Sequence, residues 1–175
     1  MNKMLTAILA LSVSVLSLYA DTPSKRPTYI QVKAAQEDAF MKDYADVLSR
    51  CRFFSLATVY KGKPHVRPIG VTAIIDNCMV VGTSSAKEMY THMMANPSVD
   101  CSATTTDFTT FLRFSGQATL CKDSAVFNTF TEKFPLFRRL FGDKLVLFML
   151  KPDRAGIFSM KGKKPITKTF TDGQN

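Results

Sequence analysis

Between Phe53 and Lys87 the chain reads FFSLATVYKGKPHVRPIGVTAIIDNCMVVGTSSAK. Aromatic and β-branched residues dominate Phe53–Tyr60, His65–Ile75 and Cys78–Gly82, and each run is predicted to be a strand. The connections are Lys61-Gly62-Lys63-Pro64 and Asp76-Asn77. These are too short for a helical crossover, so the neighbouring strands must pair antiparallel. Pro68 has no N–H to give to a ladder, which puts its strand at an edge or a bulge. The third run ends in Thr83-Ser84-Ser85, directly before a helical pattern over Ser85–Ala95. Ser84 or Ser85 is the expected cap, with Lys87 in the first turn. Hydroxyls and free amides at a helix N-terminus, closed by the cations Arg67 and Lys87, predict a phosphate site.

The same pattern continues downstream. Val99–Thr105, Phe111–Leu120, Leu145–Leu150 and Gly156–Met160 read as further strands, for a total of seven. Helices are predicted over Gln36–Ser49, where Ala39, Phe40, Tyr44, Val47 and Leu48 share a face, and over Ser124–Phe134. Pro135 ends the latter, and Leu136–Phe141 forms one more helical turn. Short strands joined by turns favour a mainly β fold, an antiparallel barrel with the helices covering its ends or flank. A doubly wound nucleotide fold is disfavoured. Its strand-to-helix loop needs several glycines, and Val81-Gly82-Thr83-Ser84-Ser85 holds one.

The N-terminus reads as an address. Lys3 precedes an uncharged, mainly apolar run from Met4 to Leu18, short for a membrane span, and Ala20 offers a cleavage point. Residues 1–20 are therefore predicted to be a signal peptide, residues 21–35 a flexible leader, 36–170 the domain and 171–175 a tail. The protein is expected to be exported, periplasmic or secreted, with no stable membrane insertion after cleavage; an uncleaved anchor is the alternative.

The 175-residue chain carries 23 Lys+Arg against 14 Asp+Glu, a net charge of +9, which favours anionic ligands. The basic residues are scattered except for Lys161, Lys163, Lys164 and Lys168. With no recognition helix, zinc pattern or RNA-binding aromatic signature, nucleic acid is not an expected partner. Cys51, Cys78, Cys101 and Cys121 form no C-x-x-C pair. They are either disulfide partners or small buried hydrophobes. His65 and His92 are the only histidines, which is too few for a protein metal site. His65 reads as an exposed strand residue or a base or haem ligand, and His92 as surface or packing. Phe127, Phe130 and Phe134 form a core stripe, and Arg138-Arg139 a solvated face. No Ser/His/Asp or paired-carboxylate arrangement is present, which argues against a hydrolase.

Six segments, in order, carry a family resemblance: Leu56–Val59, Gly62–Gly70, Gly82–Tyr90, Ala95–Cys101, Phe111–Ala118 and Ala155–Pro165. Together they span about Asp46 to Thr169, and the chain resembles the pyridoxamine 5′-phosphate oxidase-like proteins, which are split barrels that bind flavin mononucleotide (FMN). The resemblance implies a homodimer with two flavin sites at the subunit interface. It places Arg67 at the phosphate-binding arginine, Pro68, Ile69 and Gly70 along the ring system, and Gly82 and Thr83 at the end of the third strand. Ser84 and Ser85 join that phosphate turn, Lys87 matches the phosphate-binding lysine, and Arg113 approaches from the partner subunit. The family's namesake enzymes also have a C-terminal arginine and histidine that grip the substrate. This chain ends Lys168-Thr169-Phe170-Thr171-Asp172-Gly173-Gln174-Asn175, with no histidine after His92, which argues against vitamin B6 oxidation. The expectation is an FMN-dependent oxidoreductase acting on another small molecule; a flavin or haem carrier without turnover is the alternative.

Overall fold

The computed structural model describes residues 29–31, 38–70 and 72–170. The apolar run 4–18 and the cleavage point at Ala20 lie outside these residues, as does the tail 171–175. Among the described residues one sheet of nine strands runs in the order β1-β4-β5-β8-β7-β6-β2-β3, with β9 added to β8. The strands are β1 (Tyr29–Gln31), β2 (Cys51–Tyr60), β3 (Lys63–Ile69), β4 (Thr72–Ile75) and β5 (Cys78–Ser84). They continue with β6 (Ser98–Thr105), β7 (Thr110–Leu120), β8 (Leu145–Ser159) and β9 (Ile166–Thr169). Every pairing is antiparallel except β1 with β4. The expected antiparallel split barrel with flanking helices is the observed fold.

The split lies inside the run His65–Ile75, which is two strands and not one. β3 pairs only with β2 at one edge of the sheet, whereas β4 pairs with β5 and β1 at the other. Two residues separate Ile69 from Thr72, so the two ends lie within roughly 11 Å of each other. The sheet must therefore curl until its edges meet. The seam is joined by the chain and not by a ladder. Pro68 is exposed on this edge strand, where its missing N–H leaves no ladder bond unmade.

The opposite error occurs at the C-terminal end, where the two runs 145–150 and 156–160 form the single strand β8. Pro152 does not interrupt it, because β5 pairs β8 only as far as Leu150 and β9 pairs it only from Arg154 onward. Opposite Pro152 the β7 register shifts between Ser115 and Gly116, a bulge that bends β8 from one neighbour to the next. The basic tail contributes β9, and a short β1 falls in the leader; neither has an apolar signature.

Among the described residues four α-helices flank the sheet: α1 (Ala39–Ser49), α2 (Glu88–Ala95), α3 (Ser124–Lys133) and α4 (Pro135–Phe141). Asp38 caps α1, its carboxylate accepting the N–H groups of Phe40 and Met41 at 2.9 and 3.2 Å. Inside the barrel, Met41, Tyr44, Val47 and Leu48 of α1 pack with Leu56, Met79, Leu112, Phe114 and Phe148. On the outer face of β4, β5 and β8, Ala73, Ile75, Val80, Leu145 and Leu147 meet Val126, Phe130 and Phe134 of α3 and its end. Both faces of β4 are therefore buried, and the strand is apolar without alternation. The four cysteines are unpaired; Cys51 and Cys101 are buried and Cys78 and Cys121 half-buried. No helix among the described residues is long and apolar enough to cross a membrane.

Candidate functional site

Strand alternation decides which side chains can meet. Leu56 and Thr58 of β2 point inward and are buried, and their register partners on β3 are Arg67 and His65. Arg67 therefore enters the barrel end beside α2. Its Nη1 donates to Thr58 Oγ1 at 3.2 Å and its Nη2 to His92 Nδ1 at 3.2 Å. A guanidinium only donates, so His92 Nδ1 is an acceptor and the neutral ring carries its proton on Nε2. Thr58 Oγ1 lies 3.3 Å from the same Nδ1. His92 has 3 % of its surface exposed. Its ring stacks on Tyr60 at 4.7 Å and meets His65 at 4.3 Å.

The electrostatics follow from this crowding. Burial, then the His65 and Arg67 charges, hold His92 below the usual histidine range, with Glu88 acting in the opposite sense. Burial also lowers the Arg67 pKa from its ordinary value, again opposed by Glu88. The guanidinium stays charged, with two of its five N–H donors used inside the protein and three left for a ligand.

The phosphate turn differs from its sequence reading. α2 starts at Glu88, so Lys87 is the N-cap residue and not part of the first turn, and its extended backbone carries no side-chain cap. Thr83 and Ser84 are the buried last residues of β5. The Ser84 hydroxyl accepts the Ala86 N–H at 3.2 Å instead of capping the helix. Ser85 N–H donates to the Lys144 carbonyl at 2.8 Å and Lys87 N–H to the Ser84 carbonyl at 3.0 Å. The amides of Ser85, Ala86 and Lys87 are therefore satisfied within the protein, contrary to the free amides expected there. What this turn offers is the exposed Ser85 and the Lys87 ammonium, which rests over the Phe141 ring at 4.8 Å. A Cβ on Gly82 would lie 2.6 Å from Phe137, so glycine lets α4 pack against the end of β5.

The structure thus joins Arg67 to the body of α2, while Lys87 at its start turns toward α4. Ile69 is half-buried and Gly70 exposed beside a shallow depression lined by Leu48, Phe53, Phe54 and Thr72. Pro68 and Arg113 lie on the outer face in one cross-strand row, Pro68–Ser55–Ser102–Arg113. Three strand spacings put them about 14 Å apart. Within one chain Arg113 is therefore not a neighbour of Arg67. His92, Thr58 and Tyr60 were not among the expected site residues. Helix periodicity could not reveal His92, because its burial depends on β2 and β3 closing over α2. Among the described residues no group of three or more His, Cys, Asp or Glu could hold a metal.

The half-buried Arg67 of this split barrel is held against α2 by Thr58 and His92, and comparison identifies the family. The pyridoxamine 5′-phosphate oxidase family model matches residues 40–151, and the chain belongs to that family. A NimC/NimA family protein from Clostridium acetobutylicum superposes with a TM-score of 0.65 at 22% identity, covering 73% of this chain and 92% of that one. A pyridoxamine 5′-phosphate oxidase-related, FMN binding protein from Nostoc punctiforme gives 0.64 at 16% identity, covering 80% and 95%. A heme binding protein from Mycobacterium smegmatis gives 0.63 at 10% identity, covering 77% and 60%. At such identities these likenesses show the fold. No functionally curated protein is significantly similar in sequence.

Proposed function

We propose that the protein is an FMN-binding flavoprotein that acts as an oxidoreductase on a small molecule. The observation that carries this reading is Arg67, held by Thr58 and His92 with three N–H donors unspent, in a chain of this family. Arg67, Lys87 and the Ser85 hydroxyl suit a phosphate dianion, and no carboxylate among the described residues forms an ion pair with either cation. FMN would supply redox chemistry at its ring, and the protein would supply binding, electrostatics and access. Pro68, Ile69, Gly70, Gly82, Thr83 and Ser84 would shape the walls of the site. Arg113 would belong to the site of the second subunit of a homodimer. Phe53, Val59 and Val66 support such a dimer, since these apolar side chains are exposed on β2 and β3. We also propose that the protein is exported, with cleavage after Ala20, on the strength of the Lys3 and Met4–Leu18 pattern.

The second reading is a carrier that binds flavin or haem without turnover. The fold likeness to a heme binding protein favours it. The purified protein distinguishes these readings. A yellow preparation whose flavin bleaches with a nicotinamide donor and recovers on adding a quinone or nitro compound supports the oxidoreductase. Flavin that no donor reduces supports the carrier, and a Soret band supports haem.

A further inference from the structure

His92 is buried, neutral and bonded to a cation, yet no step of flavin chemistry requires a histidine on this helix. Its ring stacks on Tyr60 of β2 and meets His65 of β3 at a tilt. Its Nδ1 faces Arg67 of β3 and Thr58 of β2. Glu88 of its own helix is the remaining charged group acting on it. An arginine side chain has many rotamers, and a guanidinium fixed before binding loses less of that freedom when the ligand arrives. A lysine or an unpartnered arginine would have to be ordered by the ligand itself.

We propose that His92 is the positioning residue for Arg67: its neutral Nδ1 acts with Thr58 to hold the guanidinium in place for an anion, and protonating the ring releases it. The inference rests on the phosphate reading of Arg67 and deepens it by assigning the site an acid limit. A protonated ring puts a donor where Arg67 needs an acceptor and sets two like charges 3.2 Å apart. The bound phosphate is beyond the guanidinium, so its attraction for a charged His92 acts over a longer distance than this repulsion.

Three measurements on the full chain test the proposal. At about pH 7.5, His92→Leu is expected to weaken FMN binding by about tenfold, the loss of one hydrogen bond to a charged group, with riboflavin binding nearly unchanged. His92→Asn, whose Oδ1 can take the place of Nδ1 as an acceptor, is expected to recover most of that loss. On acidification to about pH 5.5, FMN affinity should fall more steeply for the parent than for His92→Asn. Without ligand, nitrogen-detected NMR should show His92 Nδ1 unprotonated in the parent and the ring pKa rising in Arg67→Ala. If Arg67→Ala leaves the His92 titration unchanged, the two residues are not coupled and the proposal is wrong. If Arg67→Ala weakens FMN binding and His92→Leu does not, only the role of His92 falls. If Arg67→Ala does not weaken FMN binding, the phosphate reading itself fails and takes this inference with it.

Discussion

Asp38 and Lys168 form an ion pair across 130 positions of sequence, tying the start of α1 to β9. The same carboxylate caps α1, and Asp38 N–H donates to Asn77 Oδ1 at 3.3 Å. One residue thus fastens a helix start, the β4–β5 turn and the C-terminal strand, and Phe170 reinforces the junction by meeting Phe40 edge-on.

Asp38→Ala should destabilise the protein by about 1–2 kcal/mol, because it removes a helix cap along with the ion pair. Lys168→Ala should cost only about 0–1 kcal/mol, since the pair is partly exposed and the cap survives. Urea unfolding of both variants checks the order. Burial raises the Asp38 pKa, but Lys168 and the Met41 and Phe40 amides outweigh it, and the net shift is downward. A lowered carboxyl pKa contributes stability above the unfolded value, which is lost as pH falls through the folded one. The acid limb of the parent's stability curve below about pH 4 should therefore flatten in Asp38→Ala.

Arg67→Ala and Lys87→Ala should each weaken FMN binding by about ten- to a hundredfold, at roughly 1.5–3 kcal/mol per charged hydrogen bond. Riboflavin, which has no phosphate, should be nearly indifferent. Lys61→Ala, whose ammonium lies over Tyr60, should change neither. Fluorescence titration of both flavins against the three variants decides, and parental FMN affinity in both Arg67→Ala and Lys87→Ala would remove the proposed clamp.

Mild acid should destabilise the flavin-free protein. The folded pKa of His92 lies below its unfolded value, so the unfolded state binds more protons between the two. Stability then rises with pH through that window and is fully present above about pH 6.5. Thermal melts from about pH 7.5 downward should show a loss that His92→Asn lacks. Equal losses in both proteins would locate the acid sensitivity elsewhere.

Gly116→Ala should cost about 1–3 kcal/mol or more, because its Cβ would lie 2.1 Å from the Lys151 carbonyl oxygen at the bulge that bends β8. Gly70→Ala has nothing within 4 Å and should stay within about 0.5 kcal/mol of the parent. Comparable losses in the two variants would mean that β7 can give way at the bulge.

Light scattering of the FMN-loaded protein should return twice the chain mass, and Val66→Glu, which puts a charge on an apolar residue 67 % exposed, should shift it toward monomer. A clean monomer that retains FMN tightly would rule out a shared site.

Much of the sheet was legible because its strands alternate or run apolar between turn residues. β2, β5, β6 and β7 fall within a few residues of their expected bounds. The failures share a cause: partners remote in sequence decide them. Nothing local shows that Ile69 and Thr72 belong to opposite sheet edges, or that Pro152 sits where β5 has ended and β9 has not begun. Lys87 fell outside α2 because hydroxyl residues in the order Thr83-Ser84-Ser85 suggest a cap, whereas the strand continues through Ser84. His92 read only as surface or packing, because a lone histidine on a short helix carries no sign of an arginine arriving from β3.

The two-residue passage from β3 to β4 has a mechanical consequence. It works as a strap of fixed length around an unbonded seam, and Arg67 is anchored two positions before its near end. Lengthening the strap costs little loop entropy, about 0.6 kcal/mol per doubling. Overall stability would then scarcely register such an insertion. The grip on Arg67 would, since the edge strand that carries it has β2 as its one ladder partner.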